Sequence, residues 1–385
     1  MSPKKIIFLM PHPPTTDFQR KFFVYELIEN NFLIEYWDIG SILGYDMVFP
    51  SNLKEINYLK IATLKALNAK MKQENNNVAF VIQLTRNLKS LPIYLLLNSG
   101  KKKTIFFGRG YLPFISQPKT TLSAFLQRVF SGNKKHLILS LVGSAIFKFL
   151  PIIKRHDLTF VAGNLAERLH KADSVKLSKI HHFDIDCSCS DNSRPSELPD
   201  NYCVFIDDFL PFHPDFSIQN NARVTAEKYY NALNNFFVEI EKRYDTTVAI
   251  AAHPKALYPV NPFGGRRVVF GETSSLVKNS AIVIAHASTA ISYAVIYEKP
   301  LCLIFSEEIK KIHTHEYNQM KMTAEMLGCS LLNFEKEITI AMNIKVDKEK
   351  YETYYTEFLS NQMKDSVSHQ IVVDEVSHLL ASGDC

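Results

Sequence analysis

The most constraining feature of this chain is an alternation, repeated in both halves, of short apolar runs with amphipathic stretches. Residues 6–10 are apolar. They lead through a polar, proline-rich turn at 11–16 into a helical pattern over 18–29, and then into the strand-like Leu33–Asp38. This β-loop-α-β opening belongs to a parallel sheet with crossover helices. Val78–Ile82, 104–108 and 158–162 read as further strands, and 61–73 and 122–130 as helices. The second half restarts with Tyr202–Ile206, a long helical pattern over 223–243 and the strand Thr247–Ala252. Val268–Phe270, a helix at 274–279, strands at 281–285 and 300–305, and a mostly helical stretch over 348–382 complete it. The strands are continuous apolar runs, the kind buried on both faces of a sheet. Between the halves, 187–199 is rich in Ser, Asp, Asn and Pro and reads as a linker.

The expected fold class is therefore α/β, with two Rossmann-like lobes of parallel sheet and a cleft between them. The expected boundaries are 1–190 for the first lobe, 200–350 for the second, and 351–385 for C-terminal helices that pack back on the first. Hydrophobic residues make up 46% and charged residues 22% of 385, enough for two sizeable cores. The net charge of +5 is mild and dispersed, which argues against nucleic acid as a partner. The clusters 101–103 and Lys134, Lys135 read as solvated faces. Six cysteines show no disulfide framework, Cys302 sits in an apolar run, and a reducing compartment is expected. The apolar run at 6–10 is too short for a secretory segment. The most apolar stretch, 137–153, is interrupted by Lys148 and Pro151 and reads as a buried helix, the alternative being one that dips into a membrane surface.

In open α/β sheets, ligands bind beyond the carboxyl ends of the strands, so polar residues there carry weight. Asp207 and Asp208 follow one strand and suit a general base, or simply a loop or helix-capping acid. His253-Pro254-Lys255 follows the next; proline fixes the backbone after a histidine that would assist a leaving phosphate. Gly271 and Glu272 end a third, where a glutamate would accept from ribose hydroxyls, or sit in a first helical turn favoured by the helix dipole. Ser288 and Thr289 open a helix after a fourth. Such hydroxyls cap a helix and leave backbone N–H groups for an anion, with His286 beside them as a further donor. In the first half, Arg109 between Gly108 and Gly110 reads as an accessible cation for the acceptor. Asp184-Ile185-Asp186 is a weak metal candidate, and the pairs His181-His182 and His313, His315 lack a third ligand. With no Walker A, GxGxxG or GxSxG motif, neither a metal nor a cofactor is expected.

The order Asp207-Asp208, His253-Pro254, Ser288-Thr289 resembles the second half of bacterial GT-B glycosyltransferases that use CMP-activated acidic sugars. These are the sialyltransferases and the Kdo and nonulosonate transferases of surface polysaccharide, lipopolysaccharide and capsule synthesis. The likeness covers about 202–305. It implies Asp207 or Asp208 as general base (or nucleophile in retaining Kdo enzymes), and His253 assisting phosphate departure. Ser288 and Thr289 would hold phosphate or the donor carboxylate, with Glu272 at the ribose. It implies that the first lobe is the acceptor side and that the second binds the nucleotide sugar. It implies a nucleotide-sugar donor, a saccharide or lipid-linked saccharide acceptor, and a cytoplasmic protein at the inner face of the membrane. Phe209 stands where many sialyltransferases have glycine. The alternatives are a UDP- or dTDP-sugar transferase, a CDP-polyol phosphotransferase, a nucleotide-sugar epimerase and a non-catalytic assembly partner.

Overall fold

The structure is a computed structural model describing residues 4–15, 17–45, 56–113, 153–190, 198–213, 223–336, 345–363 and 366–381. Among these residues, seven parallel strands form the first sheet: β1 (Lys5–Met10), β2 (Leu33–Asp38), β3 (Asn57–Lys60), β4 (Val78–Ile82), β5 (Lys103–Gly108), β6 (His156–Val161) and β7 (Ser174–Lys179). Their order is β3-β2-β1-β4-β5-β6-β7. Six more form the second: β8 (Tyr202–Ile206), β9 (Thr247–Ala252), β10 (Val268–Phe270), β11 (Ile282–Ala285), β12 (Leu301–Phe305) and β13 (Ser330–Asn333), ordered β10-β9-β8-β11-β12-β13. In both sheets the chain runs outward from the first strand, then crosses to its other side. Such a reversal opens a crevice at the strand ends. In the second sheet it falls between β8 and β11, where Ile206 is in register with Ala251 on one side and Ala285 on the other.

Both faces of the first sheet are covered. Ile6, Phe8 and Met10 enter one core cluster and Ile7 and Leu9 the other, as a period of two requires. In the second lobe, helix Ala226–Tyr244 buries Tyr229, Tyr230, Leu233, Phe236, Phe237 and Ile240, an i, i+3/i+4 stripe, against the sheet. It begins with Glu227 and ends with Lys242 and Arg243, which suits the helix dipole.

Several elements differ from expectation. The helical pattern over 18–29 breaks into Phe18–Lys21 and Val24–Glu29 because Phe23 adopts φ +54. The expected linker is helical at its start: Phe183–Ser190 is a helix, with Cys187 buried. The C-terminal stretch is interrupted, as Lys348–Tyr354 runs into a π-helical turn, Tyr355–Leu359, before helix Ser368–Ala381. That turn lies against Gly163 (φ +74), where an added Cβ would stand 2.5 Å from the Glu357 carbonyl oxygen. Helix Ser368–Ala381 completes the first lobe, placing Val372, Val373, Val376 and Leu380 in the core with Ile6 and Phe8. The expected helix at 122–130, the apolar stretch at 137–152 and Lys134, Lys135 lie outside the described residues. Cys302 is fully buried. Among the described residues no helix is long and apolar enough to cross a membrane.

Candidate functional site

A cleft of about 860 Å³ opens at the β8–β11 switch point, with one wall from each lobe. The second-lobe wall is made of strand ends: Asp207 after β8, His253 and Pro254 after β9, Gly271 after β10, and Ser288 and Thr289 after β11.

Asp207 is 1% exposed. Its Oδ2 accepts a hydrogen bond from Tyr258, while Oδ1 is buried with no hydrogen-bond partner. Burial raises its carboxyl to about 6, with Tyr258 and the Phe209 backbone opposing the rise. Asp208 rises to about 7, first through burial and then through the charge of Asp207, and it is hydrogen-bonded to Ser288. Tyr258 titrates far above the usual tyrosine range, through burial first and then the charge of Asp207. Phe209 adopts φ +53, the left-handed conformation that glycine takes at least cost. The backbone of a glycine is thus kept under a different side chain. That side chain packs edge-on against Tyr258, with ring centroids 5.5 Å apart.

The Nδ1 of His253 accepts from the Lys255 backbone N–H at 3.1 Å, which leaves the proton of the neutral ring on Nε2. Ser288 caps a 3₁₀ turn at Thr289–Ile291, accepting from the Ala290 N–H at 3.4 Å. The following helix begins with Ser292, whose hydroxyl donates to Asp184. Burial holds the Asp184 carboxyl up at about 6, although Ser292 and Tyr293 bond to it.

The expected site residues His286, Arg109, Glu272, Lys255 and Asp208 are not among those lining the cleft. His286 is 1% exposed, with Nδ1 donating to the Ile304 carbonyl at 2.7 Å and Nε2 accepting from Tyr229 at 2.9 Å. It is a satisfied core histidine, lowered to about 4 by burial. Arg109 is not accessible. Its side chain is 5% exposed, ion-paired to Asp186 at 3.2 Å, with the rings of Phe23, Phe107 and Phe183 within 6 Å. Glu272 is exposed at the start of helix Thr273–Asn279, outside the residues that line the cleft, and Lys255 enters through its backbone N–H. The two acids of Asp184-Ile185-Asp186 have separate partners, Ser292 and Arg109. Among the described residues no group of three His, Cys, Asp or Glu side chains is placed to hold a metal.

Sequence reasoning did not find Tyr258, Tyr293, Arg20 or Lys21, and raised Asp184 only as part of a weak metal candidate; all five line the cleft. Of the four that were missed, Tyr258 had a nearby signal, five residues beyond His253 in the same strand-end loop.

No protein-family model and no curated protein matches the chain. Solved structures do. A variant of the wall teichoic acid polymerase TagF shares 13% identity over 99% of this chain and 90% of that one, with a TM-score of 0.51. The same polymerase soaked with CDPG gives 13%, the same coverage and 0.53. The UDP-GlcNAc 2-epimerase of Methanocaldococcus jannaschii gives 12% over 98% of this chain and 99% of that one, with a TM-score of 0.47. At such identities the likeness is one of fold. With two parallel-sheet Rossmann-like lobes facing each other across a cleft, the chain has the GT-B fold.

Proposed function

We propose that the chain is a glycosyltransferase that moves a CMP-activated acidic sugar (a sialic acid, another nonulosonate or Kdo) onto a saccharide acceptor. The observation that carries this reading is Asp207. It is a buried carboxyl at the switch point of the second sheet, lining the cleft, with one oxygen held by Tyr258 and the other unpartnered. A carboxyl titrating at about 6 is ionised at neutral pH and more basic than an ordinary aspartate. It can take the proton of an acceptor hydroxyl as that oxygen bonds to the anomeric carbon. The bond from that carbon to the CMP phosphate breaks, and its electron pair leaves with the phosphate. His253, through Nε2–H, and the hydroxyls of Ser288 and Thr289 are the groups that stabilise this developing charge. Asp208, bonded to Ser288, fixes the turn rather than taking the proton. With a lipid-linked acceptor, the protein works peripherally at the inner face of the membrane.

A second reading, transfer of a polyol phosphate from a CDP-activated donor, is favoured by one observation: the likeness to TagF soaked with CDPG.

The test is thermal stabilisation by CMP, CDP, UDP and dTDP at equal concentration, on the wild type and on His253→Ala. A ligand at 100 times its Kd adds about 2.7 kcal/mol to the folded state. A shift with CMP that shrinks in the variant supports the first reading, and a larger one with CDP the second. A shift with UDP or dTDP and none with either cytidine nucleotide refutes both.

A further inference from the structure

The cations of the cleft stand on one side. Among the described lining residues the Lys and Arg side chains are Arg20 and Lys21, both on helix Phe18–Lys21 of the first lobe. That helix stops where Phe23 enters the left-handed region, a conformation costing about 1–2 kcal/mol for a non-glycine residue. The break sets the two cations at the end of a short helix on the cleft wall.

Lys21 is anchored. Its ammonium is 2.5 Å from Asp17 Oδ2 and 4.6 Å from the centroid of the Phe183 ring. The same ring has the buried Arg109 guanidinium 5.8 Å from its centroid, and Arg109 is tied to Asp186. Arg20 is exposed and makes no salt bridge with the described residues. Two acids share this wall. Asp17 offsets Lys21, and Asp184 is engaged by Ser292 and Tyr293 from the other lobe. Of the two lining cations, Arg20 alone has no acid paired with it among the described residues, and it stands on the lobe that faces Asp207.

We propose that Arg20 and Lys21 form an oxyanion subsite, and that the acceptor carries a phosphate or carboxylate which seats there while its hydroxyl lies at Asp207. The word acceptor rests on the transferase reading; the subsite does not. An anionic acceptor must approach the negative Asp207, and the Arg20 guanidinium on the facing lobe compensates that repulsion. The donor phosphate has its own partners on the second lobe, His253 and the Ser288–Thr289 turn, so the first-lobe cations are left for a second anion. Arginine suits either group, because its planar fork pairs two donors with two oxygens.

The probe is inorganic phosphate, titrated into the full chain by calorimetry at constant ionic strength, with and without saturating CMP. Wild type is compared with Arg20→Gln, an exposed position whose change leaves the fold intact, and with Lys21→Met. Phosphate also stabilises proteins by exclusion from their surface, so the signal is saturable binding rather than a bulk effect. The expected result is saturable binding that weakens about tenfold or more in Arg20→Gln, the size of one lost charge-assisted hydrogen bond, with the Kd for CMP unchanged. Equal phosphate affinity in wild type and both variants overturns the subsite. Displacement of phosphate by CMP overturns it too, because the anion then sits in the donor site. Displacement by CMP-N-acetylneuraminate but not by CMP overturns the acceptor assignment and gives the subsite to the donor carboxylate. If CMP does not bind at all, the CMP-sugar reading fails, while the titration on the nucleotide-free chain still decides whether Arg20 and Lys21 hold an oxyanion.

Discussion

Replacing Tyr258 by phenylalanine removes the side-chain hydrogen bond to a buried carboxyl whose other oxygen has no partner. A hydrogen bond to a charged group contributes about 1.5–3 kcal/mol. At 1.36 kcal/mol per unit, its loss moves Asp207 up by about one to two units from its present value of about 6. In the wild type, burial makes the folded state prefer protonated Asp207. The stability this contributes is full below the unfolded value near 3.8 and is lost as pH rises to about 6. In the variant the loss continues to about 7 or 8. The variant is therefore expected to be penalised more at pH 8.5 than at pH 5, by an extra ~1.5–3 kcal/mol. Groups that bear on Asp207 besides Tyr258 are the Phe209 backbone, Asp208 beside it, and Tyr229 and Tyr230 from helix Ala226–Tyr244; none of them is altered by the substitution. Denaturant unfolding at the two pH values, on Tyr258→Phe, Asp207→Asn and the double variant, measures the effect. A penalty that is flat with pH, or one that persists undiminished when Asp207 is already asparagine, refutes the coupling of Tyr258 to that carboxyl.

Two further outcomes follow from the backbone. At position 209 the left-handed φ is separable from the aromatic ring: Phe209→Gly is expected to be more stable than Phe209→Ala by about 1 kcal/mol, although both lose the buried ring. The reverse order in thermal or denaturant unfolding contradicts the assigned conformation. Gly163→Ala is expected to lower stability by about 2 kcal/mol or more, since the new Cβ meets the Glu357 carbonyl at 2.5 Å in a left-handed residue; an unchanged melting temperature refutes that close approach.

The central strands were legible because their burial leaves a continuous apolar signature. Val78–Ile82 and Tyr202–Ile206 are buried at every position. The edges were not. Ser174–Lys179 has two exposed positions at its centre, and Asn57–Lys60 is mostly exposed, so neither differs in composition from a loop. The strand-end rule located Asp207, His253 and the Ser288–Thr289 turn, because a parallel sheet sends all its carboxyl ends to one side. It gave no direction for a side chain. His286 also follows a strand, yet it turns into the core to satisfy Tyr229 and Ile304. Arg109 lies between glycines, but Asp186, 77 positions away, draws it inward. Tyr258 reaches its acid from 51 residues away, and the first-lobe cations come from the opposite half of the chain. Such contacts depend on tertiary placement and leave no local pattern.

The return of helix Ser368–Ala381 to the first lobe sets an order on the making of this protein. Val372, Val373, Val376 and Leu380 pack among Ile6, Phe8 and Phe18, so the lobe synthesised first cannot close its core until helix Ser368–Ala381 has left the ribosome. The second lobe, whose strands lie within Tyr202–Asn333 and whose core ends with Tyr351, Tyr354, Phe358 and Leu359, has what it needs one helix earlier. Domains ordinarily mature in the order of synthesis. Here the second lobe has its core residues first, and the strands between Lys5 and Lys179 wait, partly capped, for their last helix.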